Sequence, residues 1–302
     1  MKTFIYSLVC IFFLFAFVPN LFAQIPQVPE IDKKWQDLED SSKINFRSIP
    51  QPVYLEISEE EALDLFDRQP YFGMYKDNYI VTGVPMNKAI TRNTADAKFQ
   101  VSIRHRLTKT ILPFNSFLML TYTQKCFWDI YADSAPFGDM NFNPGLMLGK
   151  PIIIDNQLRG LVSFAFEHES NGKDSINSRS WNYFVLSGAH YFNANLSVQG
   201  KLWAGWYGGA NKDLYKYRGF SLIALNYRTR NDKFWFSTIF NPTLKGGINM
   251  QIEANYKVNS KLNQHLFVQW YNGYGEGLYD YKQYSSVVRV GICIKPPLRN
   301  LY

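Results

Sequence analysis

Leu161-Val162-Ser163-Phe164-Ala165-Phe166-Glu167-His168-Glu169-Ser170 is the stretch whose reading decides the fold class. Side chains of a β-strand point alternately to its two faces. One face here carries Val162, Phe164 and Phe166, followed by His168 and Ser170. The other carries Leu161, Ser163, Ala165, Glu167 and Glu169. An apolar stripe on one face and polar or small residues on the other is the pattern of a membrane barrel strand. A base and a nucleophile at i and i+2 then stand at the end of the apolar stripe, where polar groups are costly without partners and signal function.

Outward from this strand, the chain start addresses export. Lys2 precedes an apolar run over 4–18, and Ala23 offers a small residue before Gln24, so a secretory signal peptide over 1–23 is expected. The run is short for a spanning anchor. Only Cys126 and Cys293 lie beyond it; one bridge between them is possible, but no disulfide framework. The net charge of +7 comes from dispersed Lys and Arg, which fits solvated loops and not a nucleic-acid surface.

Residues 24–76 form an N-terminal extension, periplasmic and partly helical or irregular. Pro26, Pro29, Pro50 and Pro52 punctuate it, and Ser58-Glu59-Glu60-Glu61 has capping-box spacing before Ala62, Leu63, Leu65 and Phe66. From 77 to 302 the pattern is strand, turn, strand. Candidate strands run over 78–84, 97–105, 116–131, 141–153, 159–170, 180–193, 196–208, 217–229, 234–243, 248–258, 265–276 and 285–294. The expected fold is all-β, a twelve-stranded antiparallel transmembrane β-barrel in the outer membrane, an even strand count with short turns on one side and loops on the other. Leu266, Val268 and Trp270 alternate with Phe267, Gln269 and Tyr271; Val288, Val290, Ile292 and Ile294 alternate with Arg289, Gly291 and Cys293. A soluble sandwich is the competing reading of the same alternation.

Asn182 lies in the next strand, in phase with Phe184 and Leu186, where a hairpin can bring it beside His168. These parts suffice for a serine hydrolase. Ser170 attacks an ester carbonyl, His168 takes the proton, Asn182 orients the imidazole, and the Gly172 N–H is a candidate oxyanion donor. Asp174, Ser175, Asn177 and Ser178 make the intervening loop rich in oxygen, which suits Ca²⁺ at modest affinity. His105, His190 and His265 have no comparable neighbourhood, and no His/Cys cluster has zinc spacing.

The residues resemble the bacterial outer-membrane phospholipase A family over most of 70–294. The likeness is carried by Tyr122-Thr123-Gln124-Lys125 with Trp128, Ser134-Ala135-Pro136-Phe137, 141–144, His168-Glu169-Ser170-Asn171-Gly172, Ser178-Arg179-Ser180-Trp181-Asn182, and Gly273-Tyr274-Gly275-Glu276 with Asp280-Tyr281. The resemblance implies a phospholipase A1/A2 with Ser170, His168 and Asn182 as its triad, acting on membrane phospholipids and on lysophospholipids. It implies Ca²⁺-dependent activation of a resting monomer by homodimerisation. The calcium ligands would be the Ser178 side chain, the Lys173 carbonyl and Ser134 of a second copy. Gln124 matches a polar residue at the dimer interface, although a lumen-facing glutamine accounts for it equally well. Asp174-Ser175 reverses the family order, so Asp174 would serve a second calcium site only from one residue earlier. A porin-like barrel with a degenerate site is the alternative function.

Overall fold

The computed structural model describes residues 59–154, 157–193, 195–207, 211–259 and 263–296. The signal peptide and most of the N-terminal extension lie outside the described residues. Helix α1 (Glu59–Asp67) is the helix expected from the capping-box spacing. It is followed by β1 (Phe72–Met74), β2 (Asn78–Pro85), β3 (Asp96–Arg106), β4 (Phe117–Trp128), β5 (Phe137–Ile154) and β6 (Gln157–Ser170). After these come β7 (Ser180–Tyr191), β8 (Leu196–Tyr207), α2 (Leu214–Arg218), β9 (Ser221–Arg228) and β10 (Phe234–Pro242). Strands β11 (Ile248–Lys257), β12 (Gln264–Tyr274) and β13 (Tyr284–Ile294) complete the chain.

Strands β2 to β13 pair antiparallel with their sequence neighbours, and β13 pairs with β2, which closes a twelve-stranded barrel. The short β1 lies along β3 beyond the end of β2, pairing Phe72 with His105 and Met74 with Ile103. Closure leaves the twelve barrel strands without a free edge, the condition for crossing lipid with strands. Connections at one rim (86–95, 129–136, 171–179, 208–220, 243–247, 275–283) are mostly longer than those at the other (107–116, 155–156, 192–195, 229–233, 258–263), which suits the former as the extracellular loop rim and the latter as the turn rim.

The burial pattern inverts that of a soluble protein. Val162, Phe164, Phe166, Phe184, Leu186, Leu266, Val268, Val290 and Ile292 are exposed on the outer wall, while Lys98, Gln199, Gln269 and Arg289 are buried inside. A soluble sandwich would bury the first set and expose the second, so that reading is excluded. The lumen is crossed by ion pairs. Glu276 takes Lys98 at 2.8 Å and Arg289 at 2.7 Å, and Arg289 also holds Asp96 at 2.6 Å. At the turn rim the Arg106 guanidinium donates to the carbonyls of Phe66, Asp67 and Gln69, and Phe66 packs on Phe117, so the end of α1 is anchored to β3 and β4.

One expectation is corrected, and the cysteine pairing left open by the sequence is decided. The strand expected from 217 begins at Ser221; Leu214–Arg218 is helical and ends at Gly219, whose φ of 63° is left-handed. Asn241 fixes that corner by donating from its amide to the carbonyls of Arg218 and Ser221. Cys126 and Cys293 are both free thiols. Cys126 shares the outer-wall parity of Gln124 on β4, whereas Cys293 packs inside with Tyr79 and Phe267, so the wall itself separates the two sulfurs.

Candidate active site on the outer barrel wall

Register brings the sequence candidates together. In the β6–β7 ladder His168 is opposite Asn182 and Ser170 is opposite Ser180. His168 Nδ1 and Asn182 Oδ1 are 2.8 Å apart. An amide oxygen only accepts, so Nδ1 carries the proton and Nε2, across the ring, is left as the acceptor. Ser170 stands one pleat repeat further along the same face, about 6.8 Å along the strand. All three residues are half-buried, at the loop-rim end of the apolar stripe. Among the described residues the Ser170 hydroxyl makes no hydrogen bond, so in this single chain it is uncommitted.

Below the polar group the wall is aromatic. Phe164 stacks on Phe184 at 5.6 Å, and Trp206, the cross-strand neighbour of Asn182, stacks on Phe166 at 5.9 Å. The lumen face of the same two strands is ionic. The Tyr183 hydroxyl donates to Glu167 at 2.7 Å, and the Trp181 indole N–H donates to Glu169 at 2.9 Å. Arg218 reaches from the end of α2 to the same Glu169 oxygen at 2.6 Å. Asn143 on β5 donates its amide to the His168 carbonyl at 3.0 Å and also contacts the Tyr183 hydroxyl. The reactive side chains thus stand on a strand whose other face is held by buried, hydrogen-bonded charges.

The loop 171–179 is organised by Asn171, which is 1% exposed. Its side chain accepts from the N–H of Lys173 and of Arg179 and donates to the Asn177 carbonyl. Asx chemistry of this kind builds a tight turn without secondary structure. It leaves Gly172 left-handed at φ 65°, where a Cβ would come 2.8 Å from the Phe142 ring. Among the described residues nothing accepts the Gly172 N–H, which suits it to an incoming anion. The Lys173 ammonium is turned away, onto the Gly138 carbonyl and the Tyr279 ring.

The residues present fit a hard cation shared between two chains. The Lys173 carbonyl and the half-buried Ser178 hydroxyl receive no hydrogen bond among the described residues, and both are the oxygen donors that Ca²⁺ prefers. Ser134 is exposed in the 129–136 loop, held at φ 65°. Asp174 is exposed at the start of the 3₁₀ turn Ser175–Asn177 and makes no capping bond. No group of three or more His, Cys, Asp or Glu able to hold a metal occurs among the described residues.

Gln124 faces the outer wall, so the lumen-facing alternative is removed. Its amide accepts from the Tyr122 hydroxyl at 3.0 Å and donates to Cys126 Sγ at 3.4 Å. Gln124, Phe142 and Ser170 are successive register partners across β4, β5 and β6, which puts Gln124 about 10 Å from Ser170.

With this geometry in hand, comparison with known proteins is informative. The model of the family described as phospholipase A1 matches residues 68–294. The chain belongs to the phospholipase A1 family. Similar proteins include the phospholipase A1 of Proteus vulgaris, 30% identical over 240 residues covering 73% of this chain and 80% of that one. That of Escherichia coli is 32% identical over 210 residues, covering 66% and 69%. A putative phospholipase A1 of Neisseria meningitidis is 28% identical over 211 residues, and the match spans 66% of this chain but only 54% of its length. Among solved structures, the E. coli outer membrane phospholipase A is similar with a TM-score of 0.65 and 25% identity over 74% of this chain and 94% of that one. The Salmonella typhi enzyme, a dimer with bound calcium, gives a TM-score of 0.67 and 26% identity over 77% and 96%. This family member is an outer-membrane β-barrel and a phospholipase. Against the porin-like alternative stand the family model and the relatives, which are named phospholipase A1.

Sequence reasoning missed Asn143, Asn171, Glu167 and Arg218. Asn171 carried a signal, because an Asn before Gly is a turn residue with its own hydrogen-bonding side chain. The others act between strands and loops, on partners 16 to 49 residues away, and only the register reveals them.

Proposed function

We propose that this phospholipase hydrolyses acyl esters of glycerophospholipids, and of lysophospholipids, with a Ser170–His168–Asn182 triad on its outer wall, and that it is active as a calcium-bound homodimer. The observation that carries the proposal is the 2.8 Å contact of His168 Nδ1 with Asn182 Oδ1 on a lipid-facing strand. In support, the similar E. coli enzyme has a solved active-site mutant in which an asparagine is replaced by alanine, at 25% identity to this chain.

Ser170 Oγ attacks the ester carbonyl as His168 Nε2 takes its proton. Asn182 holds the ring so that the imidazolium shares its Nδ1–H with the amide oxygen; a neutral amide orients it but stabilises the charge less than a carboxylate. The Gly172 N–H donates to the oxygen that becomes negative. Collapse returns the His168 proton to the leaving glycerol oxygen. Water, deprotonated by His168, then releases the fatty acid and restores Ser170. The Lys173 carbonyl, the Ser178 hydroxyl and Ser134 of a second copy would hold Ca²⁺, whose charge would add to the electrostatic stabilisation of the oxyanion. Gln124 would lie in the interface, exchanging its local contacts for ones across the dimer.

The test is phospholipid hydrolysis by the refolded protein in detergent micelles, with calcium, with excess chelator, and with Ser170→Ala. Activity requiring both calcium and Ser170 is the expected result. Full activity in Ser170→Ala removes the triad, and activity surviving the chelator removes the calcium site.

A further inference from the structure

Behind the triad, on the lumen side of the wall, lies a cavity of about 230 Å³. Four cations line it, Lys76, Lys125, Lys201 and Arg218, against two carboxylates, Glu169 and Glu276. Each carboxylate is already engaged. Glu169 is bound by Arg218 at 2.6 Å, and Glu276 by Lys98 at 2.8 Å and Arg289 at 2.7 Å. Lys201 has its own partner in Glu167 at 3.5 Å. That leaves two. The Lys125 ammonium has one long hydrogen bond, 3.4 Å to the Glu276 carbonyl. The Lys76 ammonium has the adjacent Tyr75 ring at 5.5 Å. Neither has a carboxylate within 4.0 Å among the described residues.

Enclosed charges are costly unless they are paired. We infer that this cavity is a binding site for a small phosphate-class oxyanion, with Lys76 and Lys125 of its lining as the cations available to it. Protonated, the two lysines carry the charge that balances a doubly ionised phosphate, whose oxygens are hydrogen-bond acceptors. At about 30 Å³ per water, the space holds such an ion and several waters. The site is separate from the triad and does not depend on it.

The test uses the refolded full chain in detergent without calcium. Isothermal titration with inorganic phosphate is expected to show one saturable site. Lys125→Met and Lys76→Met are expected to weaken it by about tenfold or more, while Lys125→Arg and the exposed control Lys88→Met keep it. Amine acetylation read by mass spectrometry needs no variant: phosphate should slow modification of Lys76 and Lys125 and leave Lys88 unchanged. Glycerol 3-phosphate distinguishes the sources. Binding about tenfold weaker than inorganic phosphate assigns the free ion, and equal or tighter binding assigns a lipid headgroup and keeps the site. No saturable phosphate binding by the wild-type chain overturns the inference, as does phosphate binding that is unchanged in both Met variants or that protects neither lysine.

Discussion

Replacing Asn182 by alanine isolates the contact on which the catalytic reading rests. In the resting enzyme the amide receives a neutral N–H at 2.8 Å, a bond with a net value of about 1 kcal/mol. When His168 takes the Ser170 proton, the same bond becomes charge-assisted and contributes about 1.5–3 kcal/mol. The difference acts on the transition state alone and corresponds to roughly a 3- to 30-fold loss of kcat. Without the amide the ring also loses its fixed orientation, a positioning effect of similar size, which brings the expected loss to about 10²-fold. KM should hold, because Asn182 bonds to the base and not to the ester. Because the change leaves the His168 N–H without its partner, the unfolding midpoint is measured alongside, and an unchanged midpoint assigns the loss to the chemistry. The assay is steady-state hydrolysis of mixed micelles by wild type, Asn182→Ala, His168→Ala and the double variant. Residues acting as one unit are non-additive, so the double variant should be no slower than His168→Ala. An Asn182→Ala enzyme keeping more than about half its kcat refutes the orientation argument, and so does a further loss of about 10²-fold in the His168→Ala background.

Three more outcomes follow from the geometry. Gly172→Ala puts a Cβ at φ 65° and 2.8 Å from Phe142, so a strain of about 1–2 kcal/mol and a fall in kcat of about tenfold are expected, partly restored by Phe142→Ala, with kinetics of the three variants as the check. Glu276→Leu leaves Lys98 without its carboxylate inside the barrel, and urea unfolding followed by tryptophan fluorescence should show a loss of about 3–5 kcal/mol. At the loop rim, burial pushes the Asp213 carboxyl up, but the Tyr281 hydroxyl and the Lys282 ammonium at 2.9 Å outweigh it and hold it below the usual range. A depressed carboxylate stabilises above its unfolded value of about 3.9 and loses that contribution as pH falls through its folded one. Proteolysis of the segment around 211–219 by an acid protease should therefore rise below about pH 4, and Asp213→Asn should remove the step.

The barrel was legible because its strands carry period-two alternation with the apolar set outside. Leu266–Tyr271 and Val288–Ile294 show it as clearly in the sequence as in the burial of the side chains. Strand ends were less legible. Tyr215-Lys216-Tyr217-Arg218 alternates like a strand, yet it folds as helix because Gly219 turns left-handed and Asn241 binds its carbonyls. Of the site, His168, Ser170 and Asn182 could be placed on one face by parity, and the register now sets His168 against Asn182. The groups that hold them could not be found that way. Arg218 meets Glu169, and Asn143 meets His168, through pairings that no local spacing encodes.

The alternation of His168 and Ser170 with Glu167 and Glu169 makes register fidelity a condition for chemistry. A slip of one residue in β6 would turn both glutamates toward hydrocarbon and both reactive groups toward the lumen. Such a chain would lose its ion pairs and its nucleophile in the same event. On the proposed triad, a barrel misassembled in this way would be silent instead of weakly active, so that the membrane would meet hydrolysis only from copies that have closed in register.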